Sequence, residues 1–448
     1  MIRPFFKKAL DSIAYYMPER LSKYAGHFSP SISSINYYRE IIKDDYLGLE
    51  ERRHKQFIKL KRLLMYAEEK VPYYRNLFRK VNFSVNDFNN FSDLEAIPIL
   101  TKECLQKNSE HFISDDMNKS NLFPNFTSGS TGTPLCIFFT PKELSYIAAI
   151  VKKQYNIAGV DLRDPYICIA KALNKKSLML YQKDVLYINT LRFDTVSLDT
   201  IIDFLKKQRK FKFIRGYPTY LQILTRRIKE CNVLMRPFKA VIAGYEYLSK
   251  ENRELIEEVF QCKVFDYYAM TEGVIHGLEC EYHTGLHLEM HDSFVEQIAV
   301  EQRTEGGKII ATGLNNYAMP LIRYDTGDVG VITEEGKCAC GRTGPLLTKL
   351  YGRYSDLMQL NEGTTYNFEV LSRALCNVSG IRESRFVYYP RHKVVFEMVR
   401  NQLSLDRKKL YKHLSGLFSK QIAWEIREVS EIPRSENGKV NFISVVEN

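Results

Sequence analysis

The chain has 448 residues, 45% hydrophobic and 12% aromatic, enough for about three units with sizeable cores. That composition excludes a disordered chain, and the lack of a Gly-X-Y period excludes collagen. Sixty-four Lys+Arg against 53 Asp+Glu give +11, which suits phosphates, nucleic acid, a membrane face or an acidic polysaccharide, though a solvated lysine-rich surface explains it equally well.

The N-terminal MIRPFFKKALDSIAYYMPERLSKYAG is basic, with neither the continuous apolar core nor the small-residue cleavage site of a signal peptide. It fits an amphipathic helix lying on the protein body or weakly on a membrane. Residues 1 to about 115 read as mainly helical. Over 54–78, HKQFIKLKRLLMYAEEKVPYYRNLF places apolar residues three and four apart, with charges between, and runs into Pro72 and a tyrosine pair. No apolar stretch approaches the ~18 residues of a membrane span; Leu144 to Val151 is interrupted well short of it. A cytoplasmic location is expected, with room for a peripheral position at the inner membrane face.

From about residue 120 short β-rich runs alternate with helical ones: LCIFFT and KELSYIAAIVKKQYNIAG, KFKFIRGYP and TYLQILTRRIKEC, KAVIAG and SKENRELIEEVF, then CKVFDYYA. This is the rhythm of an α/β domain with parallel strands and covering helices. Residues 285–350 are rich in strands and turns. A last block, 352–448, holds the strand-like FVYY and KVVFEMV and a helix near Arg407 to Phe418.

Nine cysteines are scattered along the chain, an odd number that does not form the dense framework of a secreted scaffold. Cys104, Cys136, Cys168, Cys231, Cys262 and Cys376 read as ordinary buried thiols. Cys280, Cys338 and Cys340 stand apart, because His283 and His287 lie close by in sequence.

Five motifs carry chemistry. Thr127-Ser128-Gly129-Ser130-Thr131-Gly132-Thr133-Pro134 is a glycine and hydroxyl loop able to wrap phosphate oxygens, or a plain Ser/Gly hairpin turn. It is not a Walker loop, for no Gly-Lys-Ser/Thr follows. Tyr267-Tyr268-Ala269-Met270-Thr271-Glu272 offers an aromatic face for a base and a carboxylate for Mg²⁺, or simply a helix N-cap at Thr271. Pro320 to Asp328, PLIRYDTGD, ends in a carboxylate suited to accept two ribose hydroxyls. Gly352-Arg353 comes next, and Ile432-Pro433-Arg434-Ser435-Glu436-Asn437-Gly438-Lys439 puts a lysine on a glycine loop, a mobile cation for phosphoryl charge.

In their order and spacing these motifs resemble the adenylate-forming superfamily. The resemblance runs from about residue 50 to the end and is nearest the phenylacetate–CoA ligase-like branch, which includes proteins encoded in capsular polysaccharide gene clusters. Further marks of the branch are Ile97 to Lys102, Arg215-Gly216-Tyr217-Pro218, Ala243-Gly244-Tyr245-Glu246 and ATGLNNYAMPLIRYDTGD over 311–328.

The resemblance implies an α/β fold: a large N-terminal domain of sheets and helices over 1–351 that binds ATP and acid, and a small mobile α+β domain over 352–448. It implies that ATP and a carboxylic acid form an acyl-adenylate, from which a thiol, CoA foremost, displaces AMP. Thr127, Ser128, Gly129, Ser130, Thr131 and Gly132 would hold the β- and γ-phosphates. Gly244, Tyr245 and Glu246 would flank the adenine, with Tyr268 on its face. Thr271 would contact the α-phosphate, Glu272 would ligate Mg²⁺, and Asp328 would bind the ribose. Arg353 would reach the nucleotide from the hinge, and Lys439 would bridge carboxylate and α-phosphate. The acid would sit near Tyr217, Tyr245 and Met270 to Val274, a setting suited to an aryl or apolar acid.

Two features depart from the family pattern. Ser355 stands where a hinge aspartate is usual, with Asp356 beside it. The segment after the hinge is reduced, so a carrier-protein thiol, an amine or a sugar stays open as acceptor. A catalytically silent scaffold is the alternative of another class; the presence of Lys439, Glu272 and Asp328 speaks against it. Some members of the branch carry a zinc knuckle, and Cys280, His287, Cys338 and Cys340 would form a closed structural Zn²⁺ set, with His283 the alternative to His287. Three free thiols beside a histidine-rich strand is the other reading. No nucleic-acid-binding signature is present, and a homodimer is left open.

Overall fold

The computed structural model of the protein describes residues 32–127, 135–161, 163–170, 177–300, 305–335, 338–354, 358–359, 365–366, 368–375, 378–390, 393–401, 404–418, 422–434 and 441–446. Helix α1 (Ile32–Asp44) leads into α2 (Leu49–Lys70) and α3 (Pro72–Lys80). In α2, Gln56, Leu60, Leu63, Leu64 and Ala67 fall three or four apart and are buried, so one face meets the core. The expected helix over 54–78 is two helices. Pro72 lacks an N–H and starts α3 at its first turn, and it pushes Val71 to an extended φ of −110°. A short α4 (Lys102–Lys107) is capped by Thr101, whose side chain accepts from the Cys104 N–H.

Strands β1 (Phe123–Phe126) and β2 (Cys136–Phe139) pair antiparallel around residues 128–134. Helix α5 (Pro141–Ile157) then opens on a capping box between Thr140 and Glu143. Strands β3 (Tyr166–Ala170), β4 (Met179–Gln182) and β5 (Val185–Asn189) precede α6 (Thr195–Lys207), β6 (Phe213–Gly216), α7 (Pro218–Glu230), β7 (Ala240–Gly244), α8 (Lys250–Phe260) and β8 (Lys263–Ala269). Strands β5, β3, β6, β7 and β8 lie parallel in that order. Their side chains are buried on both faces, as a helix-covered parallel sheet requires. Ile169, Ile214 and Val241 pack with α6, α7 and α8, whereas Cys168, Phe213 and Ile242 pack with Val151 and Tyr155 of α5.

The same sheet continues through antiparallel strands β9 (His276–Glu279), β10 (Leu286–Leu288), β11 (Ser293–Ala299), β12 (Gly307–Gly313), β13 (Tyr324–Thr333) and β14 (Leu346–Arg353), twelve strands in all. Beyond it lie β15 (Met358–Gln359), β16 (Thr365–Tyr366) and α9 (Phe368–Leu375). A second sheet follows, formed by β17 (Ile381–Tyr389), β18 (Lys393–Arg400), β19 (Ala423–Glu428) and β20 (Ile443–Val445), with α10 (Arg407–Leu417) between β18 and β19. Its core, with Leu371, Phe386, Phe396, Leu410 and Leu414, is separate from those of the large sheet.

Among the described residues no helix is long and apolar enough to cross a membrane. Of the cysteines expected to be buried, Cys168 alone is fully so. Cys104, Cys136 and Cys262 are half-buried, and Cys231, just past the end of α7, is exposed. Cys376 lies outside the described residues.

Lys59 on α2 donates to the His291 carbonyl at 3.2 Å, and burial lowers its pKa to about 8. A cation with a depressed folded-state pKa costs stability in full below about pH 8, and the cost disappears as pH rises toward the unfolded value. Lys59→Met is therefore expected to stabilise the fold at pH 7 by no more than about 3 kcal/mol. Its advantage in Tm over the parent should shrink between pH 8 and 10; a constant advantage would refute the assignment.

Candidate active site at the strand ends

Strands β6, β7 and β8 end side by side, with Gly216 opposite Ala243 and Gly244 opposite Tyr267. The carboxyl edge of an open parallel sheet is where α/β proteins gather ligands, because loops of differing direction leave a crevice there. Gly244 runs against β8 so closely that a Cβ would lie 2.9 Å from the Tyr267 carbonyl oxygen. Tyr245 then turns into the left-handed region at φ +69°, a conformation that costs a non-glycine residue roughly 1–2 kcal/mol.

That turn brings Tyr245 over a buried cation. Arg215, at the end of β6, donates from Nη2 to the Tyr245 hydroxyl at 2.5 Å and from Nη1 to the Tyr155 hydroxyl at 3.1 Å. The Tyr217 and Tyr245 rings meet edge to face at 5.7 Å. Glu246 accepts at Oε2 from the Thr219 N–H at 3.1 Å, in the first turn of α7, where a carboxylate is favoured. The 215–218 and 243–246 motifs thus form one wall.

The opposite side is built from β8 and β13. The Tyr268 hydroxyl donates to Asp328 Oδ2 at 2.7 Å, and Arg353 Nε lies 3.4 Å from Asp328 Oδ1. Burial and the neighbouring Asp328 carboxylate hold the Tyr268 phenol well above its usual pKa, so it remains a neutral donor. Asp328 and Arg353 are register partners across β13 and β14. Glu272 accepts at Oε1 from the Tyr324 hydroxyl at 3.1 Å, and the Thr271 carbonyl accepts from Asn125 Nδ2 at 3.0 Å. Thr127 closes the base of the glycine loop: its N–H donates to the Leu135 carbonyl at 2.8 Å, and its hydroxyl accepts from the Leu135 N–H at 3.0 Å.

The fold therefore draws Thr271, Glu272, Tyr268, Asp328 and Arg353 together, and sets Gly244, Tyr245 and Glu246 at the neighbouring strand end. Ser128, Gly129, Ser130, Thr131, Gly132 and Lys439 lie outside the described residues, as do Ser355 and Asp356. Val274, expected near the acid, is 1% exposed and belongs to the core beside β9. Asn125, Arg215 and Tyr324 were not among the expected site residues. Asn125 sits two positions before Thr127 on the same strand face, which is the signal that could have found it.

A second cluster sits on the antiparallel half of the sheet. Cys280 follows β9, His287 lies on β10, and Cys338 and Cys340 lie on the turn before β14; their ligand atoms all lie within 4.8 Å of one another. Cys280 Sγ is 3.5 Å from Cys338 Sγ, and Cys340 Sγ is 3.4 Å from His287 Nε2. A tetrahedron with metal–sulfur bonds of about 2.3 Å has edges of about 3.8 Å, so the spacing fits one ion. Burial lowers the His287 pKa to about 4 and pushes the Cys280 thiol up to about 12. The imidazole is thus in its ligand form, while the thiol needs a cation to shed its proton. His283 is not in the group. It occupies the β9–β10 turn at φ +53°, with Nδ1 3.2 Å from Glu279 Oε2.

No family profile matches the chain. It is 24% identical over 410 residues to the phenylacetate–coenzyme A ligase of Thermus thermophilus, covering 85% of each chain. It is 25% identical over 437 residues to protein CapK of Staphylococcus aureus, covering 91% of this chain and 92% of that one. Among solved structures it is similar to 2-hydroxyisobutyryl-CoA ligase in the postadenylation state, with a TM-score of 0.70 at 18% identity over 91% of both chains. Against the same ligase in its thioesterification state the TM-score is 0.55 at 19% identity, over 90% of this chain and 91% of that one. Over most of its length the chain is thus similar to phenylacetate–coenzyme A ligases and to protein CapK, and it shares the fold of an acyl-CoA ligase.

Proposed function

We propose that the protein is an AMP-forming ligase that activates an aryl or apolar carboxylic acid as its acyl-adenylate and passes the acyl group to a thiol, CoA foremost. The observation that carries this is the convergence of Tyr268, Glu272, Asp328 and Arg353 at one strand end. In the first step a carboxylate oxygen of the acid attacks the α-phosphorus of ATP, the bond to the β-phosphate oxygen breaks, and pyrophosphate leaves. In the second, a thiolate attacks the acyl carbon and AMP departs.

Asp328 has the two oxygens to accept both ribose hydroxyls, with Tyr268 and Arg353 fixing its orientation. Thr271 stands at the α-phosphate, and the 127–132 loop takes the outer phosphates. A Mg²⁺ ion held by Glu272 would supply positive charge against the phosphate oxygens. Lys439 brings a further positive charge from a mobile small domain, residues 352–448. Closure of that domain would keep water from the labile adenylate. Zn²⁺ on Cys280, His287, Cys338 and Cys340 would fill all four positions with protein ligands, and its role is structural.

Tyr268→Phe removes one hydrogen bond to Asp328 and leaves the ring in place. It is expected to raise the KM for ATP by roughly five- to thirtyfold, with Tm nearly unchanged, because one bond to a charged partner is worth roughly 1–2 kcal/mol. An unchanged KM would remove Asp328 from the nucleotide site. The function itself is tested by pyrophosphate release across aryl, fatty and amino acids, each with and without CoA. Release with an aryl or apolar acid, and thioester only with CoA, is expected; release with amino acids alone would overturn the assignment of the acid. The reduced segment after the hinge favours one second reading, transfer to an amine or a sugar, which predicts adenylate formation without thioester in that screen.

A further inference from the structure

The small domain meets the large one along α7. At the C-terminal end of that helix Asn401 Nδ2 donates to Glu230 Oε1 at 2.7 Å. At its N-terminal end the Arg434 guanidinium lies 5.2 Å from the centre of the Tyr220 ring. Ten residues of helix, about 15 Å, separate the two contacts. Between them lies a cleft bordered by Ile223 and Arg227 of α7 and by Ile381 and Arg382 of β17.

Arg434 is built for that position. Its Nη2 is 2.6 Å from Glu383 Oε2, on a carboxylate side chain only 4% exposed. Arg382 Nε holds the other oxygen of the same carboxylate at 3.2 Å. Glu383 thus fixes the guanidinium from within the small domain. Nη1 is buried with no hydrogen-bond partner among the described residues, so what meets the large domain is the flat cation against a ring.

The ring it meets leads to the site. Tyr220 is fully buried, and it continues through Tyr217, at 6.3 Å between ring centres, to Tyr245, at 5.7 Å. Thr219, beside Tyr220, donates its N–H to Glu246. In sequence Arg434 stands five positions before Lys439. Whatever sets the place of Arg434 therefore sets where the chain carrying Lys439 departs.

We infer that Arg434 is a positioning residue that latches the small domain onto α7 for the acid-activating step, through its cation–π contact over the Tyr220 ring; this rests on the ligase reading above. On that reading Lys439 serves the first step, so the latch is not needed for the second. Losing it should therefore slow one half-reaction and spare the other, an outcome that general damage to the fold would not produce.

The test uses the full chain with an acid that supports pyrophosphate release. Arg434→Met keeps the aliphatic stem and removes the charge, Tyr220→Leu removes the ring, and Tyr220→Phe keeps it. Arg434→Met and Tyr220→Leu are expected to lower ATP–pyrophosphate exchange at least tenfold, while thioester formation from synthetic acyl-adenylate and CoA stays within twofold. Tyr220→Phe should keep most of the exchange, and the Arg434→Met/Tyr220→Leu pair should be no worse than the poorer single variant. Equal losses in both half-reactions, or none in exchange, would overturn the latch. A second readout needs no turnover: spin labels at the exposed Leu234 and Tyr411 report the distance between the domains. A broader distance distribution with ATP in Arg434→Met than in the parent supports the latch, and identical distributions refute it. If no acid supports exchange in the parent the ligase reading fails, and the distance measurement still decides the latch.

Discussion

Glu272→Gln is expected to lower acyl-adenylate formation by on the order of 10²–10³-fold while leaving the fold intact. The reasoning starts from size and burial. Glutamine has the shape of glutamate, and its amide oxygen can accept the Tyr324 hydroxyl as Glu272 Oε1 does at 3.1 Å. What it lacks is the negative charge. Glu272 is 7% exposed, so that charge acts in a setting where water screens it weakly. A carboxylate so placed beside Thr271 is worth most as a ligand for a hard divalent cation, and an amide is a far poorer one. The loss should appear in exchange rate and in the Mg²⁺ concentration needed for half-maximal rate, with Tm within a degree or two. A change below about threefold at saturating Mg²⁺ would mean that Glu272 serves only Tyr324 and the packing of β13.

Cys340→Ser is expected to lose one zinc per chain and to lower Tm by roughly 5 °C or more. The size of the effect comes from what the turn carrying Cys338 and Cys340 holds. The Thr343 N–H donates to the Asp45 carbonyl at 3.1 Å, and Arg52 of α2 donates to the Thr343 carbonyl. Asp45 is also 2.7 Å from Lys153 Nζ of α5, which reaches Glu289 at 2.5 Å. The turn therefore anchors helices α1, α2 and α5 through a buried charge network, and such a network is costly to leave half-satisfied. His283→Gln makes the contrast, since His283 stands outside the sulfur cluster and should keep the metal. Metal content by elemental analysis decides between them. Full zinc in Cys340→Ser, or its loss in His283→Gln, would contradict the ligand set.

Much of the site was legible because its parts are local in sequence. Thr271-Glu272 and Gly244-Tyr245-Glu246 each lie within a few residues after a strand, and a strand end next to a glycine already tells where a loop must turn. The alternation of β-rich and helical runs likewise gave β6, β7 and β8 of the parallel half, whereas LCIFFT pairs antiparallel with β1 in a separate hairpin, and β3 and β5 were not among the expected runs. What could not be read was pairing over distance. Tyr268 and Asp328 are 60 positions apart, and nothing in either motif announces that one donates to the other. Arg215 stood out as part of a motif, yet its role beneath Tyr245 depends on the left-handed turn at Tyr245, a tertiary outcome that propensity disfavours. The split of the 54–78 helix was visible in Pro72 itself. The exposure of Cys231 was not, because a thiol's burial is set by where its helix ends against the neighbouring one. His287 was already preferred to His283 in sequence, and the fold agrees with that preference, for His287 lies on β10 within the cluster and His283 lies in the β9–β10 turn outside it.

In the proposed function the Tyr268, Glu272, Asp328 and Arg353 cluster serves an AMP-forming activation of a carboxylic acid. The most direct measurement is mass spectrometry of the nucleotides, free and protein-bound, after the full chain is incubated with ATP, Mg²⁺ and an aryl or apolar acid in the absence of any thiol. Pyrophosphate and a retained acyl-adenylate near one equivalent per chain, lost in Glu272→Gln, are expected; ATP left intact with every acid, or cleaved to ADP and phosphate, would rule out this role for the cluster.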